Sequence, residues 1–216
     1  VDREVVLCGG AINSPQLLML SGVGDARHLE ALGIPIVADL PGVGQNLQDH
    51  LRVETIAECT QPISLDGANT TGNLLKYWLW KRGPFASNLA EAGGFVKTRS
   101  DLPRPDIQFH FVPGYFIDHG FTKHAGYGFS LSATLLRPHS RGYLRLKSAD
   151  PLAHPLIQPC YLQQEDDFPS LIEGIRLSRR ILQAPAFDRL RGPELFPGDA
   201  VQNDAAIADY LRAKAE

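Results

Sequence analysis

Two kinds of hydrophobic pattern divide this chain into a short first part and a longer second part. In the first part, Val5–Leu7 form a continuous apolar run, which is typical of a strand buried on both faces of a parallel sheet. Gly9 and Gly10 end the run, and Ser14 and Pro15 then supply residue types that begin a helix. We therefore predict a strand, a glycine turn and a capped helix, an arrangement that binds ligands in open α/β sheets.

From about Leu51 onward, apolar and polar residues alternate instead. Ile107–Phe111 and Tyr127–Leu135 both alternate in this way, which predicts half-buried strands. Ser140–Gly142 have the composition of a turn and precede Tyr143–Lys147, so the pattern indicates an antiparallel hairpin.

The remaining segments follow from helical spacing and from breaker residues. Apolar residues at helical spacing predict helices at residues 26–32, 73–81, 168–182 and 204–216. A short strand is expected at Ile34–Ala38. Residues 113–126, rich in Gly, His and aromatic residues, are expected to form a long loop that can cover a site. An antiparallel sheet backed by helices follows from this order of elements.

Composition and charge narrow the class of protein. The 216 residues suffice for one large domain or two small ones, and a net charge of -3 without a basic block gives no reason to expect nucleic acid. No apolar run approaches the roughly 20 residues of a membrane-spanning helix. Three widely spaced cysteines argue against a disulfide framework, and no histidine shows metal-ligand spacing, so no metal site is expected.

Two polar residues in the second part are candidates for chemistry. Glu91 is a carboxylate among small apolar residues on a predicted strand, where a charge is costly unless it is paired or faces a cavity. The residues alone slightly favour the alternative, an edge-strand carboxylate or a salt bridge to a neighbouring Arg. His110 shares a strand face with Gln108 and can line a polar cavity, although a lone strand histidine is more often structural.

Short motifs resemble those of one enzyme family. Gly10-Ala11, Ser14-Pro15 and Ser21-Gly22-Val23-Gly24 resemble the second signature of the glucose-methanol-choline (GMC) flavoprotein oxidoreductases. Further matches to the family follow in family order at residues 40–50, 87–95, 105–111, 138–142 and 147–151. The resemblance covers nearly the whole chain and is strongest to the choline-dehydrogenase and aliphatic-alcohol-dehydrogenase branch.

The resemblance implies a fold and a domain organisation. It implies an α+β fold, in which the end of a Rossmann-like FAD-binding domain precedes an antiparallel-sheet substrate domain backed by helices. Residues 1–50 would belong to the FAD domain, 51–190 to the substrate domain, and 191–216 to a linker and a helix that returns towards the FAD domain. The family's glycine fingerprint would lie upstream of this segment, and its catalytic histidine beyond residue 216.

The resemblance also implies a function. A primary alcohol, either choline or an aliphatic alcohol, would be oxidised to the aldehyde by hydride transfer to FAD, with no catalytic base among these residues. Glu91 and His110 would bind the substrate. The cofactor would be approached by four residues near the first turn, Gly9, Gly10, Ala11 and Ser14.

Several alternatives stay open at this stage. The chain is alternatively a non-catalytic ligand-binding module derived from the substrate domain, and the 216 residues alone are expected to bind FAD weakly or not at all. The choice between dehydrogenase and oxidase, and the electron acceptor, are open. We expect a cytoplasmic protein, with association at a membrane surface as the alternative.

Overall fold

The chain folds into two compact units. The computed structural model describes residues 1–216. Residues 1–49 and 138–164 form the first unit, and residues 50–137 and 165–216 form the second. Residues 191–216, expected as a linker and a helix, contain a strand and a helix of the second unit. The assignment of cofactor and substrate to particular segments stays a prediction.

Five α-helices and ten strands make up the secondary structure, and the predicted α+β class is confirmed. The helices are α1 (Gly10–Leu20), α2 (Ala26–Ala31), α3 (Thr71–Trp80), α4 (Phe168–Leu182) and α5 (Asp204–Lys214). The strands are β1 (Val23–Gly24), β2 (Ala38–Asp39), β3 (Gln45–Leu47), β4 (Arg52–Cys59), β5 (Ala92–Val96), β6 (Ile107–Val112), β7 (Gly128–Leu135), β8 (Gly142–Arg145), β9 (Leu156–Gln158) and β10 (Arg191–Phe196). No helix has the length and apolar character that crossing a bilayer requires.

The first unit packs two helices against small sheets. Strands β1 and β2 pair in parallel, and β3, β8 and β9 form an antiparallel sheet with β8 in the middle. Its core is an apolar cluster in which α1, α2 and β8 meet. The cluster consists of Met19, Leu29, Ile34, Leu144 and Leu146. The loop that contains β3 is therefore held beside α1.

Two strand predictions in the first unit were wrong. Val5–Leu7 form no strand, and Val5 and Val6 are each 70% exposed. A strand needs a hydrogen-bonded neighbour, and no segment of residues 1–216 pairs with this run. The strand expected at Ile34–Ala38 is reduced to Ala38–Asp39, which pairs only with β1.

Helix α1 begins earlier than predicted. It starts at Gly10, so Ser14 and Pro15 lie inside the helix rather than at its first positions. Ser14 still stabilises the turn, because its Oγ accepts a hydrogen bond of 3.0 Å from the N–H of Gly9. Pro15 lacks an N–H, so the helix cannot form its usual bond to the carbonyl of Ala11.

The second unit is a five-stranded antiparallel sheet with helices packed against it. Its strand order is β10-β4-β7-β6-β5, and α4 packs on β4, β6 and β7. The strands predicted at Ile107–Phe111 and Tyr127–Leu135 are confirmed as β6 and β7, and β6 is partly buried as expected. The half-buried character predicted for the second strand was wrong, because β7 has neighbours on both sides and every one of its residues is buried. The close approach of α4 is visible at Gly174, where a Cβ would lie 3.0 Å from the Cβ of Ala133.

The predicted hairpin between β7 and β8 was wrong. Gly142–Arg145 pairs with β3 and β9 in the first unit and not with β7. The turn residues before it only end one strand, because local turn chemistry does not choose the next strand's partner. The predicted helices at 26–32, 73–81, 168–182 and 204–216 are confirmed, with Asp25, Thr70 and Asn203 accepting capping hydrogen bonds for the first, second and fourth.

Candidate functional site

An open groove lies beside the edge strand β5 of the second unit. Residues 90–95 and 108–110 line it, and its volume is about 350 Å³. Gly93 faces His110 across the strand pair, and a Cβ at Gly93 would lie 2.5 Å from the carbonyl oxygen of Phe109. The glycine therefore lets the two strands approach closely.

The two predicted substrate residues, Glu91 and His110, line this same groove. Glu91 is exposed, whereas the Nε2 atom of His110 is buried without a hydrogen-bond partner. Burial lowers the pKa of His110, and the positive charge of Arg52 lowers it further. The groove therefore carries a carboxylate and, at neutral pH, an uncharged imidazole.

A polar row crosses the sheet from the groove towards its interior. Gly93 pairs with His110, His110 with Ser132, and Ser132 with Glu54, so all four lie on one face of the sheet. Ser132 Oγ donates a hydrogen bond to Glu54 Oε2, and Arg52 Nε lies 3.6 Å from Glu54 Oε1. Burial raises the pKa of Glu54 to about 7, although Ser132 and Arg52 both oppose the shift.

Sequence reasoning missed Glu54. The residue is only 8% exposed and lies on β4, a strand with mostly buried residues. Its signal was a carboxylate between the β-branched residues Val53 and Thr55, a pattern that resembles the one that singled out Glu91. The sequence pattern alone does not show which of the two carboxylates is buried. Glu54 lies on an interior strand of the sheet, whereas Glu91 lies at the exposed edge.

A second cavity lies beside α1 in the first unit. Ala11, Pro15, Leu144 and residues 44–48 line it, and its volume is about 340 Å³. At Gly44 the backbone φ is +79° and a Cβ would lie 2.3 Å from the carbonyl oxygen of Leu144, so only glycine fits there.

The predicted cofactor residues lie together at the beginning of α1. Gly9 and Ser14 are joined by a hydrogen bond, and Ala11 lines the cavity. Gly10 has a φ of +73° and no atom within 4 Å of the position where a Cβ would stand. The first amides of a helix have no partner inside the helix and attract anions. The part of these residues in cofactor binding stays a prediction.

Comparison with known proteins assigns the family. Two family models described as GMC oxidoreductase match the chain, one at residues 1–52 and one at residues 138–216. The chain belongs to the GMC oxidoreductase family. The resemblance predicted from its motifs is thereby confirmed.

Several relatives align along the whole chain. Mitochondrial choline dehydrogenase from Mus musculus is 48% identical over 220 residues, covering 100% of this chain and 37% of the mouse protein. An oxygen-dependent choline dehydrogenase from Paraburkholderia phymatum is 45% identical, covering 99% of this chain and 38% of its own length. The chain thus spans about two-fifths of the length of the curated relatives it matches.

A solved structure of a relative shares the fold. Formate oxidase from Aspergillus oryzae matches with a TM-score of 0.89 at 27% identity, over 100% of this chain and 43% of the oxidase. That structure is of a mutant made to study the modification of FAD in the oxidase. The fold of both units of this chain is therefore shared with formate oxidase.

Proposed function

We propose that the protein containing this chain oxidises a primary alcohol to the aldehyde with FAD as hydride acceptor, and that its substrate is choline or a similar cationic alcohol. The observation that carries the proposal is the 48% identity with mouse choline dehydrogenase over the whole chain. Neutral aliphatic alcohols are the competing substrates, and the groove beside β5 supports the cationic class.

The cavity beside α1 suits part of a dinucleotide. Its volume of about 340 Å³ lies at the lower end of ligand pockets, which hold roughly 300–1,000 Å³, so it would take one portion of FAD. Gly10 and Ala11 would approach the cofactor through their backbone, and Ser14 would hold Gly9 in the turn. When bound, FAD would supply the hydride acceptor, and the protein would supply orientation and electrostatics.

Glu91 and His110 would affect substrate binding in different ways. The Glu91 carboxylate would attract a cationic head group, since nothing else in the groove lining carries a charge at neutral pH. His110, whose pKa is lowered, would be uncharged at neutral pH and would not repel the cation. Neither residue is assigned the proton transfer.

The test compares two alcohols on the full-length protein. Glu91→Gln is expected to raise the KM for choline about tenfold, the loss of one charge interaction, and to leave the KM for decanol unchanged. Glu165→Gln, which removes an exposed carboxylate elsewhere in the second unit, is the matched control. Equal changes for both alcohols would contradict the cationic substrate, and a protein that turns over neither would favour a non-catalytic binding module.

A further inference from the structure

Tyr161 and Asp49 form a clasp at one end of the three-stranded sheet of the first unit. Strands β3 and β9 both pair antiparallel with β8, so they run in the same direction and end at the same edge. Asp49 follows the end of β3, and Tyr161 follows the end of β9. The Tyr161 hydroxyl donates a hydrogen bond of 2.6 Å to Asp49 Oδ2 and so joins the two outer strands past the start of β8.

Beneath the clasp, the backbone at Gly142 is packed too closely to leave room for a side chain. Gly142 begins β8 and pairs with Leu47. A Cβ at Gly142 would lie 2.1 Å from the carbonyl oxygen of Gln158 and 2.6 Å from that of Pro159. The chain leading to Tyr161 therefore rests directly on the backbone of β8.

The backbone around Tyr161 adopts an unusual conformation. Cys160 and Leu162, on either side of it, have φ angles of +56° and +54°. Residues with a Cβ rarely adopt this left-handed region, and they remain in it only where surrounding contacts hold them. The two left-handed residues turn the chain after β9, and Tyr161 between them contacts Asp49.

The loop that Asp49 terminates forms one wall of the cavity beside α1. Residues 44–48 line that cavity opposite Ala11 and Pro15, and Asn46 is itself left-handed with a φ of +60°. Strand β3 covers only three residues and has an irregular register with β8. So short a strand fixes its loop weakly, and a second attachment at Asp49 would hold the wall in place.

We propose that Tyr161 is a positioning residue that, through its hydrogen bond to Asp49, holds residues 45–49 in the shape that binds the cofactor. The proposal rests on the proposed FAD site beside α1. Burial and the Asp49 carboxylate raise the pKa of Tyr161 to about 12, so the phenol remains a hydrogen-bond donor at neutral pH. A hydrogen bond to a carboxylate is also stronger than one between neutral groups.

The first test measures FAD affinity in the full-length apoprotein. Tyr161→Phe is expected to weaken FAD binding about tenfold, because the loop must then be ordered when the cofactor binds. Tyr115→Phe is the matched control, since it removes a tyrosine hydrogen bond of 2.9 Å to the carbonyl of Tyr127 in the second unit. In an Asp49→Ala background, Tyr161→Phe should cause no further loss.

A second test measures the stability of the loop in the apoprotein, by hydrogen exchange. Backbone amides of residues 45–49 should exchange with solvent faster in the Tyr161→Phe apoprotein than in the wild type or in Tyr115→Phe. If these amides exchange faster in Tyr161→Phe but the wild-type protein binds no FAD, the result would support the role of Tyr161 in holding the loop. The same result would contradict the proposed FAD site. Three results would overturn the role of Tyr161. The amides of residues 45–49 could exchange at the wild-type rate in Tyr161→Phe, or Tyr161→Phe could bind FAD with wild-type affinity. Tyr161→Phe could also weaken FAD binding as much in the Asp49→Ala background as in the wild type.

Discussion

Glu54 offers the sharpest test of the electrostatics of the second unit. It is 8% exposed, and its Oε1 atom has no hydrogen-bond partner. Its pKa rises from the ordinary value of 4.5 to about 7, chiefly because burial disfavours the charged form. The folded state therefore binds this proton more tightly than the unfolded state, and Glu54→Gln removes the difference while its amide oxygen can still accept from Ser132.

The size of the effect follows from linkage. The protonated Glu54 makes its full contribution to the free energy of unfolding below pH 4.5. This contribution is lost as the pH rises towards 7, and it does not change further above that pH. A pKa difference of this size corresponds to about 3 kcal/mol. The free energy of unfolding of Glu54→Gln, relative to the wild type, should therefore increase by about 3 kcal/mol between pH 4.5 and pH 8.

The assay is urea unfolding of the full-length protein, followed by tryptophan fluorescence at several pH values. The change with pH is compared rather than the absolute stability, because the amide and the protonated acid pack differently. Glu58→Gln removes a carboxylate from the same strand at a less buried position and serves as the matched control. Parallel pH profiles for wild type and Glu54→Gln would refute the buried, proton-binding role of Glu54.

Two further predictions concern close packing and a partly buried ion pair. Gly142→Ala should lower the free energy of unfolding by about 2 kcal/mol or more in thermal melts, since its Cβ would clash with facing carbonyl oxygens, whereas Gly72→Ala on α3 meets open space and should not destabilise. Arg179→Lys should cost about 1–2 kcal/mol in urea unfolding, because the forked contact with Glu194 at 2.8 and 3.0 Å is lost. Arg180→Lys, at an exposed site, should cost little, and equal losses at both positions would contradict this reasoning.

Local patterns predicted those elements whose burial follows from their own sequence. The spacing of apolar residues in α4 and the alternation in β6 each describe one face against one core, and both elements formed as expected. The strand at Val5–Leu7 did not form, and the strand that begins at Gly142 formed with partners other than the predicted one, both for a different reason. A strand exists only beside a partner, and the partner is chosen by contacts far away in sequence.

The same distinction applies to the candidate site. Alternation placed His110 on a polar strand face, and the composition around Glu91 suggested a cavity, so their groove could be anticipated. The contacts of Glu54 with Ser132 and of Tyr161 with Asp49 join residues that are 78 and 112 positions apart. No local pattern contains that information, because it depends on which strands become neighbours.

The central claim is that this chain belongs to a flavin-dependent alcohol oxidiser. The most direct measurement is the absorption spectrum of the purified full-length protein, followed by anaerobic addition of choline and, separately, of decanol. We predict a flavin band near ~450 nm that bleaches on addition of alcohol, and faster with choline than with decanol. A protein that is colourless and stays colourless after FAD is added would contradict the claim.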